Sequence, residues 1–213
     1  MDAHRLTSEI IETEAALREL LGEPAEAVRA KVSDRLNPLT RRFIERSSFV
    51  CIATSDERGN CDVSPRGDPA GFVRILDDVT LLIPERPGNR LADSLRNILQ
   101  NGHIGLLFVL PGVGDTFRVN GRATLTTDTA LLAPCAFLDK VPKLGILVDI
   151  DTAFTHCSKA FIRSQLWDPA RFIDASELPT AGAILREIGN VAIDVAEFDA
   201  ERAARYARRE GFY

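Results

Sequence analysis

Residues 79–110 read as strand, basic turn, helix, strand, and any fold for this chain has to be built around that unit. Val79, Leu81 and Ile83 alternate with Thr80 and Leu82, the period of two expected of a half-buried strand. The run Pro84-Glu85-Arg86-Pro87-Gly88-Asn89-Arg90 is too rich in Pro and Gly for regular structure. Asn89 suits a helix N-cap, because its side-chain oxygen accepts from an unpaired N–H of the first turn. Leu91, Leu95, Ile98 and Leu99 then share one helical face, and Asn101-Gly102 ends the helix. Residues 104–110 follow as an apolar run of strand length.

Arg86 and Arg90 fall where helical N–H groups already give a partial positive end. A cation there is unfavourable by about 0.3–1 kcal/mol. An anion bound between them would reverse that sign, since a helix start with spare N–H groups is an anion site. Two arginines pointing into water is the alternative, and this stretch alone leaves both open.

Around this unit the chain predicts a helix over residues 6–21 and further helical pieces over 25–34 and 38–46. Strands follow over 49–54 and 61–64, joined by the turn Asp56-Glu57-Arg58-Gly59-Asn60. A second basic turn is Ser64-Pro65-Arg66-Gly67-Asp68-Pro69, and 73–83 forms a hairpin. In residues 116–125, Phe117, Val119, Ala123 and Leu125 alternate with Thr116, Arg118, Asn120 and Arg122, so the polar set meets water or lines a polar site. Residues 128–138 read as a helix interrupted by Pro134, and 145–154 as the last strong strand. Lys159 and Arg163, four apart, share the face of a helix over 159–167 and make a second cationic helix start. The tail holds helices near 180–188 and 199–209. Six or seven short strands without βαβ alternation argue against a doubly wound sheet and for a mainly antiparallel barrel with helical additions.

Composition narrows the function. Among 213 residues, 45% are hydrophobic and 27% charged, as in an ordinary globular protein; the net charge of −5 argues against a general nucleic-acid or membrane-surface binder. No apolar run approaches the roughly 20 residues of a membrane span, and the N-terminal sequence lacks the pattern of a signal peptide. Cys51, Cys61, Cys135 and Cys157 are scattered, with only His4, His103 and His156 beside them. That predicts no metal site, and buried free thiols in a cytoplasmic protein.

Several motifs can be set aside. Gly112-Val113-Gly114 lacks the third glycine and the following helix of a dinucleotide fingerprint. His156 and Cys157, adjacent on a strand, face opposite sides and cannot act as a pair. Trp167 is by default a core or interface anchor. What stays unexplained is a set of cations at element ends, Arg66, Arg86, Arg90, Lys159 and Arg163, in an acidic protein. Arginine offers planar bidentate bonding to phosphate oxygens, so the set points to a phosphorylated ligand.

The order of Ser64-Pro65-Arg66-Gly67-Asp68, the hairpin, Pro84 to Arg90, the helix, Ile104-Gly105-Leu106-Leu107-Phe108 and Arg118-Val119-Asn120-Gly121-Arg122-Ala123 resembles the pyridoxamine 5′-phosphate oxidase-like, FMN-binding split-barrel family over roughly residues 45–167. The segment from His156 to Trp167 is similar to that of a bacterial subgroup of FMN-dependent enzymes. The resemblance implies an α+β fold, mainly β: an antiparallel, Greek-key split β-barrel over 48–170. A helical extension, 1–47, would pack on it, and 171–213 would form a helical and strand tail of the same domain. It implies that Arg66, Asn89 and Arg90 hold the FMN phosphate, with Ser64, Gly67, Asp68 and Arg86 in the same cofactor set. Ile83 and Pro84 would lie along the flavin ring through their backbone, and Thr116 would contact it.

The same resemblance implies a homodimer with flavin at the subunit interface, where Lys159, Arg163 and Trp167 reach the flavin of the opposite subunit. The activity implied is an FMN-dependent oxidoreductase passing a hydride through flavin N5 to or from a small molecule. No protein acid or base is assigned; His156 is the nearby titratable group to test. A true pyridoxamine phosphate oxidase ends in an Arg-Leu-x-Pro tail, whereas this chain reads Arg208-Arg209-Glu210-Gly211-Phe212-Tyr213, so the vitamin B6 reaction is not expected. A non-catalytic flavin binder, or the same barrel carrying F420 or haem, are the alternatives.

Overall fold

The computed structural model describes residues 9–213. It divides into two compact units, Met1–Ser33 and Asp34–Tyr213. The first holds helices α1, Glu14–Leu21, and α2, Glu26–Ala30, neither with a buried residue. Thr13 caps α1, its hydroxyl accepting the Ala16 N–H at 3.2 Å. The expected helix start at Leu6 lies outside the described residues, and the cap puts the described start at Glu14. The helix expected over 25–34 is only the five residues of α2.

In the second unit α3, Pro38–Arg46, is set by its sequence: Pro38 occupies the first turn and Asn37 with Thr40 forms a reciprocal capping box. Ile44 is fully buried, and the Phe43 ring stacks on Phe117 with centroids 5.6 Å apart. The helix therefore docks by one apolar edge.

Seven strands follow: β1 (Phe49–Ser55), β2 (Cys61–Gly67), β3 (Arg74–Ile75), β4 (Thr80–Pro84), β5 (His103–Phe108), β6 (Thr116–Thr126) and β7 (Gly145–His156). They form one sheet in the order β2-β1-β5-β6-β7-β4-β3, every pair antiparallel. This is the split-barrel arrangement expected: the ladder is not closed, and β2 and β3 are its ends. The sheet nonetheless curls, because Arg66 on β2 reaches Glu85, just past β4, at 3.0 Å. Val50, Ile52, Leu81, Ile83, Phe108, Phe117, Val119, Ile146 and Val148 are fully buried inside it. Each contributes about 1.5–3 kcal/mol by leaving water.

β6 keeps its alternation, with Phe117, Val119, Gly121 and Ala123 all inward, while β7 carries a bulge: Asn120 pairs with Thr152 and Gly121 with Ile150, so Asp151 is the extra residue and the inward set shifts from Ile150 to Ala153. A β-carbon on Gly121 would lie 1.9 Å from the Asp149 carbonyl oxygen, so only glycine lets β6 and β7 approach this closely.

The central helix α4 runs Asp93–Gln100 rather than starting at Leu91. Arg90 and Ala92 take left-handed backbone, φ 66° and 58°, and this breaks the helix before Asp93. Asn89 accordingly does not cap it; its Oδ1 accepts the Leu91 N–H at 3.0 Å, a local turn. Leu91 and Leu99 are 63% and 75% exposed, so of the predicted face only Leu95 and Ile98 pack on the core, and the buried side is completed by the polar Ser94 and Asn97. Asn97 Nδ2 donates to Thr54 Oγ1 at 3.1 Å and Ser94 Oγ to Asp62 at 2.6 Å, which fixes α4 against β1 and β2.

Beyond the barrel, Pro134 limits α5 to Thr129–Leu132, followed by a single 3₁₀ turn. The segment after β7 forms α6, Lys159–Ser164, ended by Gln165 in left-handed conformation. Helices α7, Ala181–Gly189, and α8, Val195–Ala207, pack as a pair in which the Gly182 N–H donates to Asp199 at 2.9 Å. All four cysteines are free; Cys135 is buried as expected, while Cys61 and Cys157 are exposed. Among the described residues no helix is long and apolar enough to cross a membrane.

Candidate functional site

The two basic segments meet, and the first is strand rather than the expected turn: β2 continues past Ser64 through Pro65 and Arg66 to Gly67, paired along its length with β1. On β2, residues 62, 64 and 66 point to the half-buried side while 61, 63, 65 and 67 are exposed, and Pro65 is tolerated because β2 is an edge strand. Asp62, Ser64 and Arg66 thereby form one wall of a cleft of about 520 Å³. The loop after β4 supplies the facing wall, with Glu85, Arg86, Asn89 and Arg90, and the head of α4 closes the end. The first bond of α4 runs from the Arg96 N–H to the Ala92 carbonyl at 2.9 Å. The amides of Asp93, Ser94 and Leu95 therefore precede the helical ladder and have no acceptor within it.

The electrostatics separate the three arginines. Arg66 is held by its own surroundings: Nε donates to Glu85 at 3.0 Å, and its other arm reaches Ser64 Oγ and the Pro65 carbonyl. Arg86 is held more firmly still. Its Nε donates to Asp68 at 2.6 Å and Nη2 to the Cys135 carbonyl at 2.8 Å, while the Asp68 side chain is 1% exposed. Arg90 makes no ion pair among the described residues and stands on left-handed backbone at the cleft rim. Non-glycine residues in that region are held there by their surroundings at a cost of order 1–3 kcal/mol, and such positions gather at ligand clamps.

Of the residues proposed from sequence, Ser64, Arg66, Arg86, Asn89 and Arg90 share this cleft. Gly67, Asp68 and Pro84 line an adjoining hollow of about 200 Å³. The Ile83 side chain is fully buried in the core, so only its backbone can face a ligand. Thr116 is 4% exposed at the start of β6, opposite His156. Lys159 and Arg163 lie exposed on α6, and Trp167 Nε1 donates to the Val113 carbonyl at 2.9 Å. Within one chain these last four do not line the cleft.

Sequence reasoning missed the acidic side of the site. Asp62, Glu85 and Asp93 line it beside the arginines. It also missed Tyr213, whose hydroxyl donates to Asp68 at 2.7 Å and whose ring lies 5.3 Å from the Arg86 guanidinium. That hydrogen bond pushes the Tyr213 phenol above its ordinary value, with burial adding to the effect. No local signal marks such a contact, which spans 145 residues.

The donor set suits a phosphate: the Arg90 guanidinium, with no ion pair among the described residues, a second shared with one carboxylate, the Ser64 hydroxyl and the first-turn amides of α4. The open antiparallel split barrel, with a cleft where Arg66, Arg86 and Arg90 meet Asp62, Glu85 and Asp93, defines the class of fold. The sequence profile of pyridoxamine 5′-phosphate oxidase matches residues 36–154, more than half of the chain, and the protein belongs to that family. No curated protein matches the chain. Among solved structures it is similar to HupZ of Group A Streptococcus, 22% identical over 58% of this chain and 95% of that one, TM-score 0.47. It is also similar to general stress protein 26 of Bacillus anthracis, 16% identical over 55% and 89%, TM-score 0.43. A third is an FMN-binding protein from Syntrophomonas wolfei, 15% identical over 67% and 95%, TM-score 0.41.

Proposed function

We propose that the chain binds FMN, with the flavin phosphate in the cleft at the head of α4, and works as an FMN-dependent oxidoreductase on a small molecule. One observation carries the reading: Ser64, Arg66, Asn89 and Arg90, separated by up to 26 residues, line a single cleft that the first turn of α4 also enters.

When bound, the flavin supplies hydride transfer at its N5, chemistry that belongs to the cofactor. The residues of this chain bind and orient. Arg90 meets the phosphate as an uncompensated cation, Ser64 and the amides of Asp93 and Ser94 donate to its oxygens, and Arg66 shares its fork between Glu85 and the ligand. Asn89 spends its oxygen on the Leu91 N–H and keeps its amide protons for the ligand. The Ile83–Pro84 backbone forms a flat edge for the ring, with Thr116 as a further ring contact. In this proposal two copies assemble with the flavin between them, and Lys159, Arg163 and Trp167 of each serve the flavin of the other.

The absorption spectrum of the purified protein, followed by FMN titration and assay of NAD(P)H turnover, tests the reading. A flavin spectrum, or saturable FMN uptake, with turnover is the expected result. FMN uptake without turnover leaves a flavin binder, and a haem or F420 spectrum replaces the cofactor.

A further inference from the structure

A second cavity, of about 470 Å³, shares Glu85 and Arg86 as lining residues with the cofactor cleft. Its size is that of a small-ligand pocket. Pro87, Pro142 and Leu144 make the apolar walls, and the Tyr213 ring covers one side. That ring is fixed at three points: the hydroxyl on Asp68, a 4.7 Å contact with the Phe137 ring, and the Arg86 guanidinium over its face. A fixed aromatic face beside aliphatic walls favours a flat, apolar ligand body.

The charges say what that body carries. Glu85 and Arg86 line the cavity, but each is tied to a partner, Arg66 and Asp68. Lys140 and Lys143 also line it, three residues apart, and neither makes an ion pair among the described residues. The uncompensated charge in the cavity is therefore cationic, and lysine meets a compact anion as a point charge. The base of Lys140 is rigid. It exchanges backbone hydrogen bonds with Phe137 at 3.1 and 2.9 Å around a tight turn, in which Leu138 and Asp139 both take positive φ, 47° and 58°.

We propose that this cavity binds a small aromatic or conjugated carboxylate, its ring against Tyr213 and its carboxylate between Lys140 and Lys143. The Glu85 N–H donates to the Leu144 carbonyl at 2.9 Å, so the floor of the cavity is bonded to the residue that holds Arg66 in the neighbouring cleft. Calling this acid the substrate rests on the flavin reading; its binding does not.

The test is calorimetric titration of the intact protein with naphthoate, and with uncharged naphthamide as control, each with and without saturating FMN. Naphthoate should bind saturably, and naphthamide roughly tenfold or more weakly, because two exposed ammonium groups supply the difference. The double variant Lys140→Gln/Lys143→Gln should lose that preference while its FMN affinity stays that of the parent. Tyr213→Leu should weaken both compounds. Equal binding of acid and amide, no binding of either, or an unchanged preference in the double variant would overturn the proposal. Naphthoate binding by a protein that ignores FMN would sink the flavin reading and leave this site standing.

Discussion

Glu85 holds Arg66: the two side chains, 20% and 16% exposed respectively, meet at 3.0 Å across the gap between β2 and the loop after β4. The pair closes the curled sheet at the place where the cofactor phosphate is proposed to sit. Glu85 therefore competes with a phosphate for the same guanidinium. Glu85→Gln keeps the shape and removes the competing charge, and FMN should bind about three- to tenfold more tightly, on the order of 1 kcal/mol. A fluorescence-quenching titration reads this, and weaker binding would instead make Glu85 the residue that aims Arg66.

Arg86 and Arg90 have separable roles. Removing Arg86 leaves the Asp68 carboxylate, 1% exposed, with the Tyr213 hydroxyl but no compensating charge, and breaking such a buried pair costs about 3–5 kcal/mol. Arg86→Ala should therefore lower the urea midpoint sharply. Arg90→Ala should leave stability within about 0.5 kcal/mol and weaken FMN by about 1.5–3 kcal/mol, the value of a charge-assisted bond. Unfolding curves and FMN titrations on both variants check the contrast.

Gly121→Ala is expected to be among the most damaging single-methyl additions in the chain. The new carbon would meet the Asp149 carbonyl oxygen at 1.9 Å, and neither strand can retreat without breaking the β6–β7 ladder. A loss of about 3 kcal/mol or more should follow, with insoluble protein or a collapsed thermal midpoint as the readout.

Tyr213 should leave a mark at alkaline pH. Its folded phenol value is raised because the hydroxyl donates to the Asp68 carboxylate. The folded chain then holds this proton more tightly than the unfolded chain does. The stabilisation is complete below the ordinary phenol value near about 10 and is lost as pH rises through the folded value. Ultraviolet titration should show a late-ionising tyrosine, absent in Tyr213→Phe, and that variant should lose less stability than the parent between neutral and strongly alkaline pH.

Much of the barrel was legible because its strands carry the period of two with buried aliphatics, as in β1 and β6; β4, expected to be half-buried, is instead buried on both faces, with Leu82 packed beside Leu132 and Cys135. The cations singled out at Arg66, Arg86 and Arg90 also share one cleft. Local sequence did not show where α4 begins, because left-handed Arg90 and Ala92 are held by tertiary surroundings and not by any glycine. Nor did it show the pairing of the arginines. Arg66 with Glu85 and Arg86 with Asp68 join residues 19 and 18 apart on different elements, and the curl of the sheet brings them together. Leu91 and Leu99 fit a helical face on paper, yet Ser94 and Asn97 are buried because Asp62 and Thr54 satisfy them.

The central claim is that the cleft between β2 and α4 recognises a flavin through its phosphate. The most direct measurement is parallel calorimetric titration of the purified protein with FMN and with riboflavin, which differs only by lacking that phosphate. The account predicts saturable FMN binding and riboflavin weaker by roughly a hundredfold, the worth of two charge-assisted bonds. Equal affinities, or no uptake of either flavin, would contradict it.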